Sequence, residues 1–112
     1  MPRDSLAYLW DALQAVELLS SFCEGRTFPE YQADALLRSA VERQLEIVGE
    51  ALNQLSKVAP DTAAQVPELG RIVAFRNILI HGYATVDDAL VWQVLVERVP
   101  MLGDVLRGLL GR

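Results

Sequence analysis

From Ser5 to Cys23, Leu6, Leu9, Leu13, Val16 and Leu19 recur three and four positions apart, which predicts a helix with one apolar face. Asp4 or Ser5 can cap it, and Gly25 closes it. In RTFPEY, Pro29 and Glu30 can begin a short turn of helix. A longer helix is expected from about Ala33 to Val58, with Leu37, Val41, Leu45, Val48, Leu52 and Leu55 on its apolar stripe. Arg38, Glu42, Glu46 and Glu50 recur every four residues along it as a charged line, and Pro60 stops it. APDTAAQVPE is a connection with room for one short turn.

A third helix is predicted from Glu68 or Leu69 to near His81, with Gly82 as its C-terminal cap. Thr85 or Asp87 caps a fourth helix that starts near Asp88. Leu90, Val91, Val94, Leu95, Leu102, Val105, Leu106 and Leu109 supply its core positions. Pro100 should kink or break it near Val96, where the proline ring meets a carbonyl. No alternating strand pattern competes. The expectation is an all-α bundle, and 112 residues suit one domain spanning the whole chain.

Charge and composition narrow what such a bundle can do. The net charge is −5, so no general basic coat for nucleic acid exists. RNA contact would need a local cationic patch or a cleft built by two chains. Apolar residues make up 52%, more than a small monomer hides easily, which points to a homodimer with an apolar interface. One cysteine, Cys23, forms no internal disulfide, and no apolar run suits a membrane span or a signal peptide. A cytoplasmic setting is expected.

Most familiar site chemistries are missing. One cysteine and one histidine make no zinc cluster, and there is no phosphate-cradling glycine loop or nucleophile elbow. What remains is RNILIHGY, residues 76–83, which holds the single histidine. Arginine and histidine suit RNA cleavage without a cofactor. The ribose 2′-hydroxyl is a nucleophile already near the phosphorus, histidine moves its proton, and arginine grips phosphate. On a regular helix, Arg76 and His81 point about 140° apart, whereas Asn77 and His81 share a face. Either the helix loosens before Gly82, or a two-fold axis brings Arg76 of one chain near His81 of the other. The residues alone equally fit a helix that ends with cations near its C-terminus.

At this point the chain resembles the HepT-like toxins of the HEPN superfamily. The resemblance runs through RDSLAYLWDAL, RQLEIVGEALNQLS and RNILIHGYATVD followed by VW. Arg76, His81 and Tyr83 match the pattern Arg, any four, His, any one, Tyr. Leu69 and Ala74 depart from it, since similar proteins often carry tryptophan and glycine there.

The resemblance implies a four- to five-helix HEPN-type bundle that dimerises. It implies a toxin ribonuclease of a type VII toxin–antitoxin system that acts on transfer or messenger RNA. Arg76 would stabilise the scissile phosphate, His81 would act as general base or acid, and Asn77 would support them. Tyr83 would be the AMPylation site of an MntA-like nucleotidyltransferase antitoxin. AMP there adds charge and bulk that repel RNA. Glu42, Glu46 and Glu50 could line the cleft or bind a metal, but such a charged line is more often a solvated face. The resemblance raises Glu46 and Glu50 as cleft or structural support, through helix packing across the dimer or support for the motif. Trp10 and Trp92 are candidates for base stacking, and Arg43 and Arg71 for a phosphate track. The alternative is a non-catalytic helical dimer that serves only as partner or substrate of the transferase.

Overall fold

Helix α1, Ser5–Cys23, begins where the Asp4 carboxylate accepts from the Ala7 amide at 2.9 Å. The computed structural model of the protein describes residues 4–82 and 86–112. Leu9, Leu13, Val16 and Leu19 are buried as the spacing predicts, but Leu6 is exposed. Ala12 and Ala15 complete the buried face instead, and α1 packs on α3 (Ala35–Val58) and α7 (Val99–Leu109).

The turn foreseen at Pro29 is α2, Phe28–Ala33. Thr27 and Glu30 exchange side-chain and backbone hydrogen bonds in a capping box at its start. Asp34 then caps α3, accepting from the Leu37 amide at 3.0 Å, so the long helix starts two residues later than Ala33. All six positions of its predicted stripe are buried. Pro60 ends it by opening the short helix α4, Pro60–Ala63.

Helix α5, Leu69–His81, starts at Glu68, whose φ of 59° is left-handed and unusual for a side chain with a Cβ. The Glu68 carboxylate pairs with Arg71 and with Arg98, which tethers this corner to the residue that joins the last two helices. Gly82 does end α5, but with φ −106°, so it does not use the left-handed freedom of a glycine cap.

The predicted fourth helix is two helices. Asp87 caps α6, Asp88–Glu97, through the Ala89 amide at 2.9 Å; the alternative cap, Thr85, lies outside the described residues. The chain breaks at Arg98, and α7 follows with Pro100 in its first turn, where a missing N–H costs nothing.

Seven helices and no strand are found among the described residues, in agreement with an all-α bundle of four or five main helices. No described helix is long and apolar enough to cross a membrane. Trp92 on α6 lies 5.4 Å from the Tyr31 ring and 6.2 Å from Phe28, which fixes α2 against α6. That is packing, not a stacking platform. Trp10 lies under the Arg112 guanidinium, 4.4 Å away.

Candidate functional site

The site is built where α5 crosses α3. Helix α5 keeps its ladder to its end, with the Gly82 amide donating to the Ile78 carbonyl at 2.7 Å. The chain therefore does not loosen before Gly82, and one of the two routes to joining Arg76 and His81 is closed.

Arg76 faces α3. Its stem lies against Gly49, where an added Cβ would sit 2.3 Å from Arg76 Cβ and 2.7 Å from its Cγ. Only a residue without a side chain admits the arginine there. One residue on, Glu50 receives the head group: Arg76 Nη2 donates to Glu50 Oε2 at 2.5 Å. The other carboxylate oxygen, Oε1, accepts from Gln54 Nε2 at 3.0 Å. Arg76 Nη1 donates to Asn77 Oδ1 at 2.8 Å. Gln54, Glu50, Arg76 and Asn77 thus form one chain of hydrogen bonds that holds the guanidinium from two sides. Arg76 Nε is buried and makes no hydrogen bond. The ion pair is part-exposed, so it contributes roughly 1 kcal/mol or less to stability, and its main effect is orientation.

Beside this arginine lies a cleft of about 200 Å³ between α1, α3 and α5. Tyr8 and Asp11 line it from α1, Arg43, Glu46 and Glu50 from α3, and Ile80 shares the α5 wall with Arg76. Glu46 and Glu50 both line this cleft. The charged line on α3 does not stay on one face, however. A four-residue repeat drifts by about 40° per step on a 3.6-residue helix. Glu42 has turned away toward Tyr31 and Asp88, and its carboxyl is held above the usual range. Burial is the main cause, followed by the Asp88 and Glu46 carboxylates, with Arg38 opposing.

His81 is exposed and does not line the cleft. Within one chain the structure brings together Arg76, Asn77, Glu50 and Glu46, and leaves His81 on the opposite side of α5. Asn77 bonds to the arginine, not to the histidine. Tyr83 lies outside the described residues. Of the arginines considered for a phosphate track, Arg43 lines the cleft, while Arg71 is paired with Glu68 at 3.2 Å.

Sequence reasoning passed over Gly49, Gln54, Tyr8 and Asp11. Gly49 did carry a signal. A glycine inside a long helix costs about 1 kcal/mol relative to alanine, which is tolerated where another backbone must come close. Gln54 lies one turn beyond Glu50 on the same face, so its pairing was legible too. Tyr8 and Asp11 carried none, because their place depends on how α1 docks.

A second recess, about 510 Å³ and largely apolar, opens between α5, α6 and α7. Ile72, Phe75, Leu90, Val94 and Met101 are among its walls. Leu90 and Met101 are exposed, as is Ile78 on the neighbouring α5 surface.

Comparison with known proteins places these features in context. The model of the family described as "Ribonuclease HepT-like" matches residues 12–109. A protein of Methanocaldococcus jannaschii, provisionally named as an RNase, is 34% identical over 100 residues, covering 89% of this chain and 91% of its own. A Thermococcus cleftensis protein named "Probable ribonuclease HepT" is 33% identical over 104 residues, covering 91% of this chain and 92% of its own. A Caldanaerobacter subterraneus protein, also provisionally named as an RNase, is 32% identical over 103 residues, covering 92% of this chain and 91% of its own. No solved structure matches the chain.

Proposed function

The chain belongs to the ribonuclease HepT-like family of the HEPN superfamily, and on that footing we propose that it is a metal-independent endoribonuclease, the toxin of a type VII toxin–antitoxin pair. One observation carries the reading. Arg76 is locked by Glu50 and Asn77 at the edge of a cleft, with the imidazole of His81 five residues on along the same helix.

The chemistry needs nothing further. His81 accepts the proton of a ribose 2′-hydroxyl, whose oxygen bonds to phosphorus while the bond to the 5′-oxygen breaks. The leaving oxygen takes up a proton, giving a cyclic phosphate and a 5′-hydroxyl. Arg76 stabilises the negative charge that builds on the phosphoryl oxygens, and Glu50 and Asn77 hold it ready, so no reorganisation is required at the moment of reaction.

Because Arg76 and His81 face opposite sides of a regular α5, the working site is taken to be shared. Arg76 of one chain and His81 of a second would meet across a two-fold axis. Support comes from the exposed Ala74, Ile78 and His81 along the outer α5 face, and from the apolar recess beside it. The substrate is transfer or messenger RNA. Tyr83, just past the end of α5, is the position that an MntA-like nucleotidyltransferase antitoxin would AMPylate. The added phosphate charge and base would repel RNA.

The test is cleavage of mixed transfer and messenger RNA in EDTA by wild type, Arg76→Ala and His81→Ala. Cleavage by wild type alone, leaving cyclic phosphate ends, supports the reading. Equal cleavage by His81→Ala overturns it. A second reading, a non-catalytic dimer that serves only as partner or substrate of the transferase, draws on the net charge of −5. Asp11, Glu46 and Glu50 against Arg43 and Arg76 also leave the cleft one charge negative. No cleavage by folded, unmodified wild type favours that second reading.

A further inference from the structure

The cleft beside Arg76 holds a carboxylate that the cleavage chemistry does not use. Glu50 is committed through both oxygens, to Gln54 and to Arg76. Glu46, one turn earlier on α3, is half-buried and makes no hydrogen bond or ion pair among the described residues. The space in front of it is about 200 Å³, below the range of roughly 300–1,000 Å³ usual for drug-sized ligands. A single planar ring system is the matching size. The Tyr8 ring and the aliphatic Ile47 and Ile80 supply walls, and Arg43 marks the outer end. Single-stranded RNA is recognised in this way, by bases splayed against aromatic and aliphatic walls with their edges hydrogen-bonded.

We infer that this cleft reads the base next to the scissile phosphate, that the base is guanine, and that Glu46 is the residue that selects it. The inference rests on the ribonuclease reading above. Its chemistry is a matter of donors and acceptors. An ionised carboxylate only accepts. The pairing edge of guanine offers two adjacent N–H donors, one from the ring and one from the amino group, which match the two carboxylate oxygens. Adenine and cytosine set a ring acceptor beside their amino group, and uracil flanks its single N–H with two carbonyls. Each of those three would place a lone pair against Glu46. The unpaired carboxylate also counts against RNA in general, because it repels phosphate. It becomes an asset only where a base supplies donors. Arg43, about 10 Å along α3 from the Glu50–Arg76 pair, stands where a neighbouring phosphate can be held.

The experiment separates this inference from the cleavage reading by measuring binding and cutting independently. Five-nucleotide RNAs that differ only in the central base are titrated against His81→Ala, with Glu46, Glu46→Gln and Glu46→Asp compared by fluorescence anisotropy. In parallel, the ends produced by wild type from random RNA are sequenced. The expected result is about tenfold or greater preference for guanine, abolished by Glu46→Gln, whose amide presents a donor where an acceptor is needed. Glu46→Asp should keep part of the preference. Cut ends should carry guanine at one fixed position. No base preference, or one that Glu46→Gln leaves intact, overturns the inference. Cleavage without guanine selectivity leaves the ribonuclease reading standing and removes this one. Guanine-selective binding without cleavage by wild type removes the ribonuclease reading and, with it, the scissile phosphate beside the base, leaving Glu46 only as a guanine-binding residue. No RNA binding at all removes both.

Discussion

Gly49→Ala is a small change whose sign is not obvious, and the structure decides it. Helix propensity alone favours alanine by about 0.8–1.0 kcal/mol in a helix interior. Against that, the new methyl carbon would stand 2.3 Å from Arg76 Cβ and 2.7 Å from its Cγ. Carbon atoms in contact prefer about 3.5–4.0 Å. Both crowded Cβ atoms are fixed to their backbones, so no rotamer change relieves the contact. Helices α3 and α5 must separate locally by more than about 1 Å, and the Ile72 carbonyl, 3.5 Å away, moves with them.

Overpacking of this kind costs about 1–3 kcal/mol, and a Cβ-to-Cβ clash that no rotamer relieves belongs at the upper end. The net expectation is a loss of about 2 kcal/mol, or roughly 10 °C in Tm for a domain of this size. Urea unfolding followed by circular dichroism measures it. Gly108→Ala is the matched control, because nothing lies within 4 Å of that added carbon. It should gain up to about 1 kcal/mol. RNA cleavage by Gly49→Ala should fall by about a hundredfold, since a 1 Å displacement of a positioned group costs on that order. A Gly49→Ala protein as stable as wild type would refute the seating of Arg76 against α3.

The remaining predictions follow from the same geometry. With the proposed two-fold shared site, mixing Arg76→Ala with His81→Ala should restore about a quarter of wild-type cleavage, because half of such dimers would be mixed and each would have one intact site of two. No restoration would place Arg76 and His81 of one chain in the same site. Glu42 titrates above the usual carboxylate range, chiefly from burial, then from Asp88 and Glu46. Its protonated form is favoured by folding, so that contribution is full in acid and is lost as pH rises through the folded value. Glu42→Gln should therefore raise Tm at pH 7.5, by under about 4 °C, with the gain vanishing below the carboxylate range. An unchanged gain in acid would contradict this. Cys23 is held above the ordinary thiol range by burial, with Arg26 only partly offsetting it. Alkylation at neutral pH should be slower than for free cysteine by about severalfold, read by mass spectrometry. With the nucleotidyltransferase and ATP, the chain should gain mass in steps of AMP, and Tyr83→Phe should abolish the gain.

Local signals settled much of this protein. The stripe from Leu37 to Leu55, the caps at Asp4 and Asp87, and the stops at Pro60 and near Pro100 are each set by neighbours within one or two turns. Periodicity and capping chemistry therefore expose them in the chain itself. The 140° that separates Arg76 from His81 follows from helix geometry alone, whereas the pattern of Arg76, His81 and Tyr83 stood out only through the family resemblance. What the chain could not show alone was which helix each of those side chains would meet. Asp11 and Tyr8 stand 65 and more residues before Arg76, and only the docking of α1 and α5 on α3 sets all of them around one cleft. The same docking split a single charged line into two environments, turning Glu42 to Tyr31 and Asp88 and leaving Glu46 in the cleft. Gly49 joins the two levels. In the sequence it is only a weak point in a helix, and the crossing of α5 makes it the place where no side chain fits.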